Sequence, residues 1–297
     1  MFDINPKVSA VITTKNRCAL LKRAVESVLS QTYKNIECIV VDDASNDDTP
    51  DYCQSLNDVK YIRIPVEESR GGNYARNQGV KNALGEYIAF LDDDDCWLPE
   101  KIEKQIALIL EKKNGLVYCG RRYERMSPKG ISFCDELPHA ELQGDMTKKI
   151  LKEICTVTSN ILVEKKMLVE CGGFDENLKF WQEYELLIRL AQRTPFFFVN
   201  EALSIYRVNL NDPNRLTNKF YSWMEAVDYI YQKHAELYYN LGFLGRLEAR
   251  TIVWRDAVAR CKNAGLLRES LKNKLLYLVI SFPFRVKNKL VRFRACV

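Results

Sequence analysis

The stretch Tyr87–Trp97, YIAFLDDDDCW, restricts the fold more than any other part of the chain. Tyr87, Ile88, Ala89, Phe90 and Leu91 form an apolar run of strand length, which reads as a buried strand. It runs directly into Asp92, Asp93, Asp94 and Asp95. Two like charges ~4 Å apart repel by about 4 kcal/mol at an intermediate effective dielectric. A fold tolerates such a cluster where it stays hydrated, caps a helix or holds a cation. Hard oxygen ligands suit Mg2+ or Mn2+. A helix cap at Asp94 or Asp95, ahead of a helix starting near Pro99, accounts for one aspartate and leaves the others unexplained.

The preceding segments alternate in type. Val8–Thr13 reads as a strand, broken by the polar loop Thr14-Lys15-Asn16-Arg17. Ala19–Gln31 has apolar residues at helical spacing. Ile36–Val41 is a second strand, stopping at Asp42-Asp43-Ala44-Ser45, with Asp47 and Thr49 placed to cap the next helix. Val59–Pro65 is a third strand, followed by the turn Arg70–Asn73 and a helix over Tyr74–Leu84. This alternation predicts an α/β fold with a largely parallel sheet. Ligands of such sheets lie beyond the carboxyl ends of the strands. Thr13–Arg17, Asp42–Ser45 and Asp92–Asp95 should therefore converge on one crevice. No GxGxxG follows the first strand and no GxxxxGK[ST] is present, which disfavours a dinucleotide fold or a P-loop.

The second half is less regular. A helix is expected over Pro99–Lys112, strands over Leu116–Glu124, Thr158–Val163 and Phe196–Val199, and helices over Lys165–Cys171 and Phe180–Gln192. Ser127–Asp145, with Pro128, Gly130, Pro138 and Gly144, reads as a loop. From Leu216 onward the chain is helical and rich in Tyr, Leu, Lys and Arg.

The net charge of +5 over 297 residues is mildly basic, suited to an anionic small substrate or lipid headgroups and too dispersed for nucleic acid. No two of the ten cysteines lie within four residues of each other, and His139 and His234 have no ligand partners at helical spacing, so a zinc site is not expected. Met1–Lys7 is short and polar, unlike a signal peptide. Reduced thiols in the cytoplasm are the simplest expectation.

Taken in order, VSAVITTKNR, SVLSQTYKNIECIVVDDASNDDT, GGNYARNQGV, GEYIAFLDDDD, CGGFDE and WQEYELLIRL give the chain a resemblance to the family 2 glycosyltransferases over about residues 7–210. The resemblance implies a GT-A fold: Rossmann-like, a mostly parallel central sheet flanked by helices, here with a helical C-terminal extension. It implies a glycosyltransferase domain over residues 1–214, with a nucleotide-sugar half to about residue 98 and an acceptor half to residue 214, then a helical region over 215–297. It further implies an inverting enzyme of the hexosyltransferase type. Such an enzyme uses a UDP-sugar and Mn2+ or Mg2+ and acts on a glycan or lipid-linked acceptor in surface polysaccharide synthesis.

By the same resemblance, Thr13 and Asp43 contact the nucleobase. Asn16 and Arg17 line the nucleotide site, and Arg76 lies beside the base or diphosphate. The DxD motif maps onto Asp92-Asp93-Asp94, with Asp94 as metal ligand, Asp93 as ribose contact and Asp92 behind them, although the acid run leaves the register open by one. Glu183, six residues before Arg189, matches the catalytic base, with Glu185 as its rival. Many relatives carry a metal-binding His shortly after a Tyr-Arg pair. Here Tyr206-Arg207 is followed by Val208-Asn209, so Asn209 stands where that ligand is expected and Arg207 beside the leaving group. Trp181 and Tyr184 suit a sugar-stacking rim and core packing equally.

Leu271–Val297 mixes an apolar run, broken by Pro283, with several Lys and Arg residues. It is too short to span a bilayer. It reads either as a basic amphipathic segment lying peripherally on the inner face of the plasma membrane or as a helix packed on the domain. Two rival functions keep the aspartates: a non-catalytic nucleotide-sugar-binding subunit, and a metal-dependent nucleotidyltransferase.

Overall fold

A computed structural model describes residues 5–128, 130–209 and 219–294, without the side chains of 209 and 285–294. The chain divides into two compact units. The first comprises Met1–Met146, Cys155–Leu178 and Gln182–Asn211. The second comprises Thr147–Ile154, Lys179–Trp181 and Asp212–Val297, so it also takes in two short segments from earlier in the chain.

The first unit is built on one sheet. β1 (Val8–Thr14), β2 (Ile36–Asp43), β3 (Val59–Ile64) and β4 (Tyr87–Asp92) pair in parallel, in the order β3-β2-β1-β4. The sheet continues through β8 (Leu162–Glu164), β6 (Leu116–Ser127), β9 (Phe196–Asn209) and the short β5 (Cys96–Trp97), while β7 (Gly130–Glu136) pairs with β6. β8 runs antiparallel to both β4 and β6, and β6 and β9 are parallel.

Because side chains alternate across a strand, each of the first strands feeds two cores. Val8, Ala10 and Ile12 face α1 (Cys18–Leu29), α2 (Thr49–Gln54) and α4 (Lys101–Lys112), meeting Leu21, Val25, Cys53, Ile102 and Ile106. Val11 and Val41 face α3 (Gly72–Asn82). There Gly79 sits so close that a Cβ would lie 2.3 Å from Val11 Cγ1, which is why the third helix carries a glycine in mid-length.

Lys101 is fully buried in this core. Its Nζ donates to Gln105 Oε1 at 2.7 Å and lies 4.1 Å from the centre of the Trp97 ring. Burial pushes the ammonium down to about 8, from 10.5 in the unfolded chain. Between those two values the unfolded chain holds the extra proton, so this group makes the protein more stable as pH rises from about 8 to 10.5. The shift corresponds to about 3 kcal/mol over the window. In denaturant titrations across that range, the wild type should gain stability relative to Lys101→Met. Parallel curves would show that Lys101 keeps its ordinary pKa.

Three segments depart from the sequence reading. Residues 130–136, expected to be loop, form β7, whose residues are all exposed; the alternation Ile131-Ser132-Phe133 is short and sits beside Pro128 and Gly130, which read as loop signals. β9 runs ten residues past the expected Val199. Its partners jump from Cys119↔Val199 to Gly120↔Ala202, and this irregularity at Asn200-Glu201 breaks the alternation. Of the expected strand at Thr158–Val163, Thr158–Asn160 is a 3-10 turn and β8 starts at Leu162. The other helices of this unit are α5 (Lys165–Glu170) and α6 (Gln182–Ala191).

The second unit contains α7 (Phe220–Lys233), α8 (Ala235–Tyr239), α9 (Gly242–Asn263) and α10 (Leu267–Arg294). Trp223 is fully buried in it. The Trp181 ring meets it edge-on at 5.2 Å, and Arg260 lies 4.8 Å over its face. Ion pairs Lys152–Glu248 and Glu153–Arg255 fasten the segment Thr147–Ile154 to α9. Among the described residues, no helix is long and apolar enough to cross a membrane.

Candidate active site

The carboxyl ends of β1, β2 and β4 stand level, since Thr14 pairs with Asp42 and Thr13 with Asp92. Beyond them two loops interlock. Asn16 and Ala44 both take left-handed backbone conformations, with φ of 54° and 63°. The Asn16 N–H donates to Ser45 Oγ and the Asn46 N–H to Asn16 Oδ1. Asp47 stitches the same loops, accepting from the Cys18 N–H at the start of α1 and from the Thr49 N–H at α2. Asn16 thus shapes the rim through its backbone and amide.

Asp42 and Asp43 have separate tasks. Asp42 is fully buried and saturated, accepting from the Ser45 N–H and the Tyr61 hydroxyl, with Arg63 at 3.8 Å. Asp43 Oδ2 accepts from the Gly71 N–H at 3.2 Å and faces Lys15 Nζ at 3.5 Å. Its Oδ1 is buried and has no hydrogen-bond partner. A buried acceptor left unpaired costs about 1–3 kcal/mol. The oxygen is therefore poised for a donor from outside the chain.

The four aspartates are sorted as sharply. Asp92 takes the Arg76 guanidinium at 2.6 Å, and Arg76 is held by Asn73 Oδ1 and lies over the Phe174 ring. Asn73 and Asn77 also grip the segment Phe174–Leu178 through its carbonyls, so the CGGFDE motif serves to seat α3. Asp93 is buried, accepting from Thr14 Oγ1 at 2.8 Å and Arg17 Nη1 at 3.0 Å. Burial raises its pKa, while Arg17 and Thr14 pull it back.

Asp95 is buried too, accepting from the Ser159 hydroxyl at 2.6 Å and the Arg207 N–H at 3.2 Å. It caps no helix and is a strut. Ser159 in turn accepts from the Asp92 N–H, and its carbonyl accepts from the Trp97 indole. Asp94 has the most exposed side chain of the four aspartates, at 40%, with Arg17 at 3.3 Å. Burial of its carboxyl, then the charges of Asp92 and Asp93, push it up to about 6. Four carboxylates meet two guanidiniums, Arg17 and Arg76, and the excess negative charge falls at Asp94.

Among the described residues, no three acids, histidines or cysteines converge as a complete metal-ligand set. Mg2+-type sites use one or two carboxylates together with substrate phosphates. Asp94, with the one-third exposed Asp92 beside it, fits that pattern. The side chain of Asn209 lies outside the described residues.

Other expected residues fall differently. Thr13 is half-buried at the end of β1, and its neighbour Thr14, not singled out by sequence, makes the contact to the acid cluster. The Arg207 guanidinium has a partner away from the acids: Glu124, at 3.5 Å, which also holds Arg23. Trp181 and Tyr184 are both buried, which assigns them to packing and not to an exposed rim. Glu185 is fully buried and doubly bonded to Arg189, a structural pair. Glu183 stands half-buried in the first turn of α6.

A parallel half-sheet with an acid cluster at its carboxyl edge, flanked by helices, is the GT-A arrangement. The chain belongs to glycosyl transferase family 2, whose profile matches residues 9–170. It is 34% identical over 210 residues to RT0329, an uncharacterized glycosyltransferase of Rickettsia typhi, covering 69% of this chain and 65% of that one. It covers as little as 31% of a longer Rickettsia relative. Over 106 residues it is 45% identical to WfaP of Escherichia coli, named as a UDP-Glc:alpha-D-GlcNAc-diphosphoundecaprenol beta-1,3-glucosyltransferase, covering 36% of this chain and 42% of WfaP. Its fold is similar to that of a Pyrobaculum calidifontis mannosyltransferase solved with GDP-Man and Mn2+, with TM-score 0.57 and 18% identity, over 96% of this chain and 84% of that one.

Proposed function

We propose that the chain is an inverting glycosyltransferase that moves a sugar from a UDP-sugar to a hydroxyl of a lipid-linked glycan during surface polysaccharide synthesis. The unpartnered buried Oδ1 of Asp43 carries this reading. A uracil N–H fits it, with Lys15, Arg17 and Arg76 nearby for phosphate and ribose oxygens and Thr13 at the base edge. Asp94, with Asp92, would hold the divalent ion. That cation, when bound, supplies the positive charge against which the diphosphate leaves. Glu183 takes the proton from the attacking hydroxyl, and one displacement inverts the anomeric carbon.

The diphosphoundecaprenol acceptor for which WfaP is named supports a lipid-linked partner. A place on the inner membrane face, touched peripherally by α10, is part of this proposal and rests on the helix itself. There Leu267, Leu271, Leu275, Val279 and Phe282 are exposed at helical spacing, with Arg268, Lys272 and Lys274 interleaved.

UDP binding to Asp43→Ala, measured by calorimetry with Mn2+ present, should be about 10- to 100-fold weaker than to the wild type. Unchanged affinity would remove the base contact. Parallel hydrolysis assays with UDP- and GDP-sugars should favour UDP.

A further inference from the structure

β6 and β9 do not stop where the catalytic edge stops. Ile88 of β4 and Leu116 of β6 both pair with Val163 of β8, so Gly120 stands level with Asp92. The rest of β6 projects beyond the aspartates, with Arg121 ~3 Å and Arg125 ~16 Å past them at the usual strand rise. Arg121, Tyr123 and Arg125 share one face of this projection, and Tyr206 of β9 is the register partner of Tyr123.

The four side chains form a ladder. The Arg121 guanidinium lies 4.9 Å over the Tyr123 ring and 5.2 Å over the Tyr206 ring, and Arg125 lies 4.9 Å over the other side of the set, on Tyr123. The two tyrosine rings meet edge to face at 5.6 Å. The ladder is within the field of the acid cluster. The Tyr206 phenol is pushed up by burial, then by Asp95, Asp94 and Asp92, against the pull of Arg121.

The opposite face of the same strand is electrically closed. There Arg122 makes a two-pronged pair with Asp135, and Glu124 is shared by Arg23 and Arg207. On the ladder face Glu136 answers Arg121, and exposed Arg125 has no carboxylate partner among the described residues. A cation held on an aromatic face keeps its charge and its outward donors while losing little freedom.

We infer that Arg121, Tyr123, Arg125 and Tyr206 form the docking face for a phosphate-bearing glycan acceptor, the arginines taking its diphosphate and the tyrosine rings holding the guanidiniums in place for it. This rests on the transferase reading above. The donor's own diphosphate belongs at Asp94, so a second anion here is that of the acceptor.

The test titrates the full chain, saturated with UDP and Mn2+ so that the donor site is filled, with three probes. These are GlcNAc-diphosphate bearing a decyl chain, uncharged decyl GlcNAc, and dihexanoyl phosphatidylglycerol. The wild type should bind the diphosphate glycan at least tenfold more tightly than either other probe. Arg125→Gln should erase most of that preference without changing UDP affinity, and Tyr123→Leu, which removes the ring that holds both guanidiniums, should weaken binding of the diphosphate glycan more than that of the uncharged one. Arg122→Gln, the same charge change on the closed face, should leave all three unaltered. Equal binding of the charged and uncharged glycans, equal binding of the phospholipid, or an effect of Arg122→Gln as large as that of Arg125→Gln would overturn the inference. Failure of the wild type to bind UDP would instead overturn the transferase reading, and the inference with it.

Discussion

Glu183→Gln should lower glycosyl transfer by about 10²- to 10⁴-fold while UDP binds as before. The substitution keeps shape and hydrogen bonding in the first turn of α6 and removes the ability to accept a proton. The companion change Glu185→Gln should behave in the opposite way. Glu185 is fully buried and paired with Arg189, which also donates to the Cys171 carbonyl at the end of α5. Breaking one side of a buried pair costs about 3–5 kcal/mol of stability. Its variant should therefore melt early, with any surviving folded fraction still turning over. Steady-state rates normalised to folded protein, beside UDP calorimetry, separate the two. Full turnover in Glu183→Gln would move the base elsewhere.

Asp94→Asn should abolish dependence on added Mn2+ and with it nearly all transfer, yet raise the melting temperature of the metal-free protein. The second effect follows from the sign of the shift. Burial and the neighbouring charges raise the folded pKa of Asp94 from 3.8 to about 6, so the native state holds the extra proton across that window. Stability on this account falls as pH rises from 3.8 to about 6 and stays reduced at neutral pH. An uncharged amide relieves that repulsion. By the same reasoning, Mn2+ affinity of the wild type should decline as pH drops through about 6, where protons compete for the ligand. Thermal scans with and without Mn2+ at several pH values read both effects. A lower melting temperature in Asp94→Asn would show that the carboxylate is a stabilising partner of Arg17 and not a strained one.

The first half of the fold was readable because β1, β2 and β4 are buried on both faces and end in polar clusters. Residues 8–13, 36–41, 59–65 and 87–91, expected as strands, lie within one or two residues of β1 to β4. β7 and the outer part of β9 were not readable. The apolar alternation of β7 is only Ile131-Ser132-Phe133 beside loop-forming Pro128 and Gly130, and the irregularity at Asn200-Glu201 interrupts the period of β9. At the candidate site, the sequence showed which acids lie together but not how they divide their work. Asp43 differs from Asp42, and Asp94 from Asp95, through partners distant in the chain: Tyr61, Gly71, Ser159 and the Arg207 backbone. Thr14 escaped notice because a threonine at a strand end looks the same whether or not an aspartate 79 positions away receives its proton.

The overrun of β6 and β9 beyond the aspartates carries a consequence for how such a chain can diversify. Side chains there are rungs on a hydrogen-bonded frame, while the groups proposed to grip the nucleotide hang from β1, β2 and β4. On that proposal, substitutions on the overrunning strands would alter which molecule is elongated while leaving the grip on the activated sugar intact.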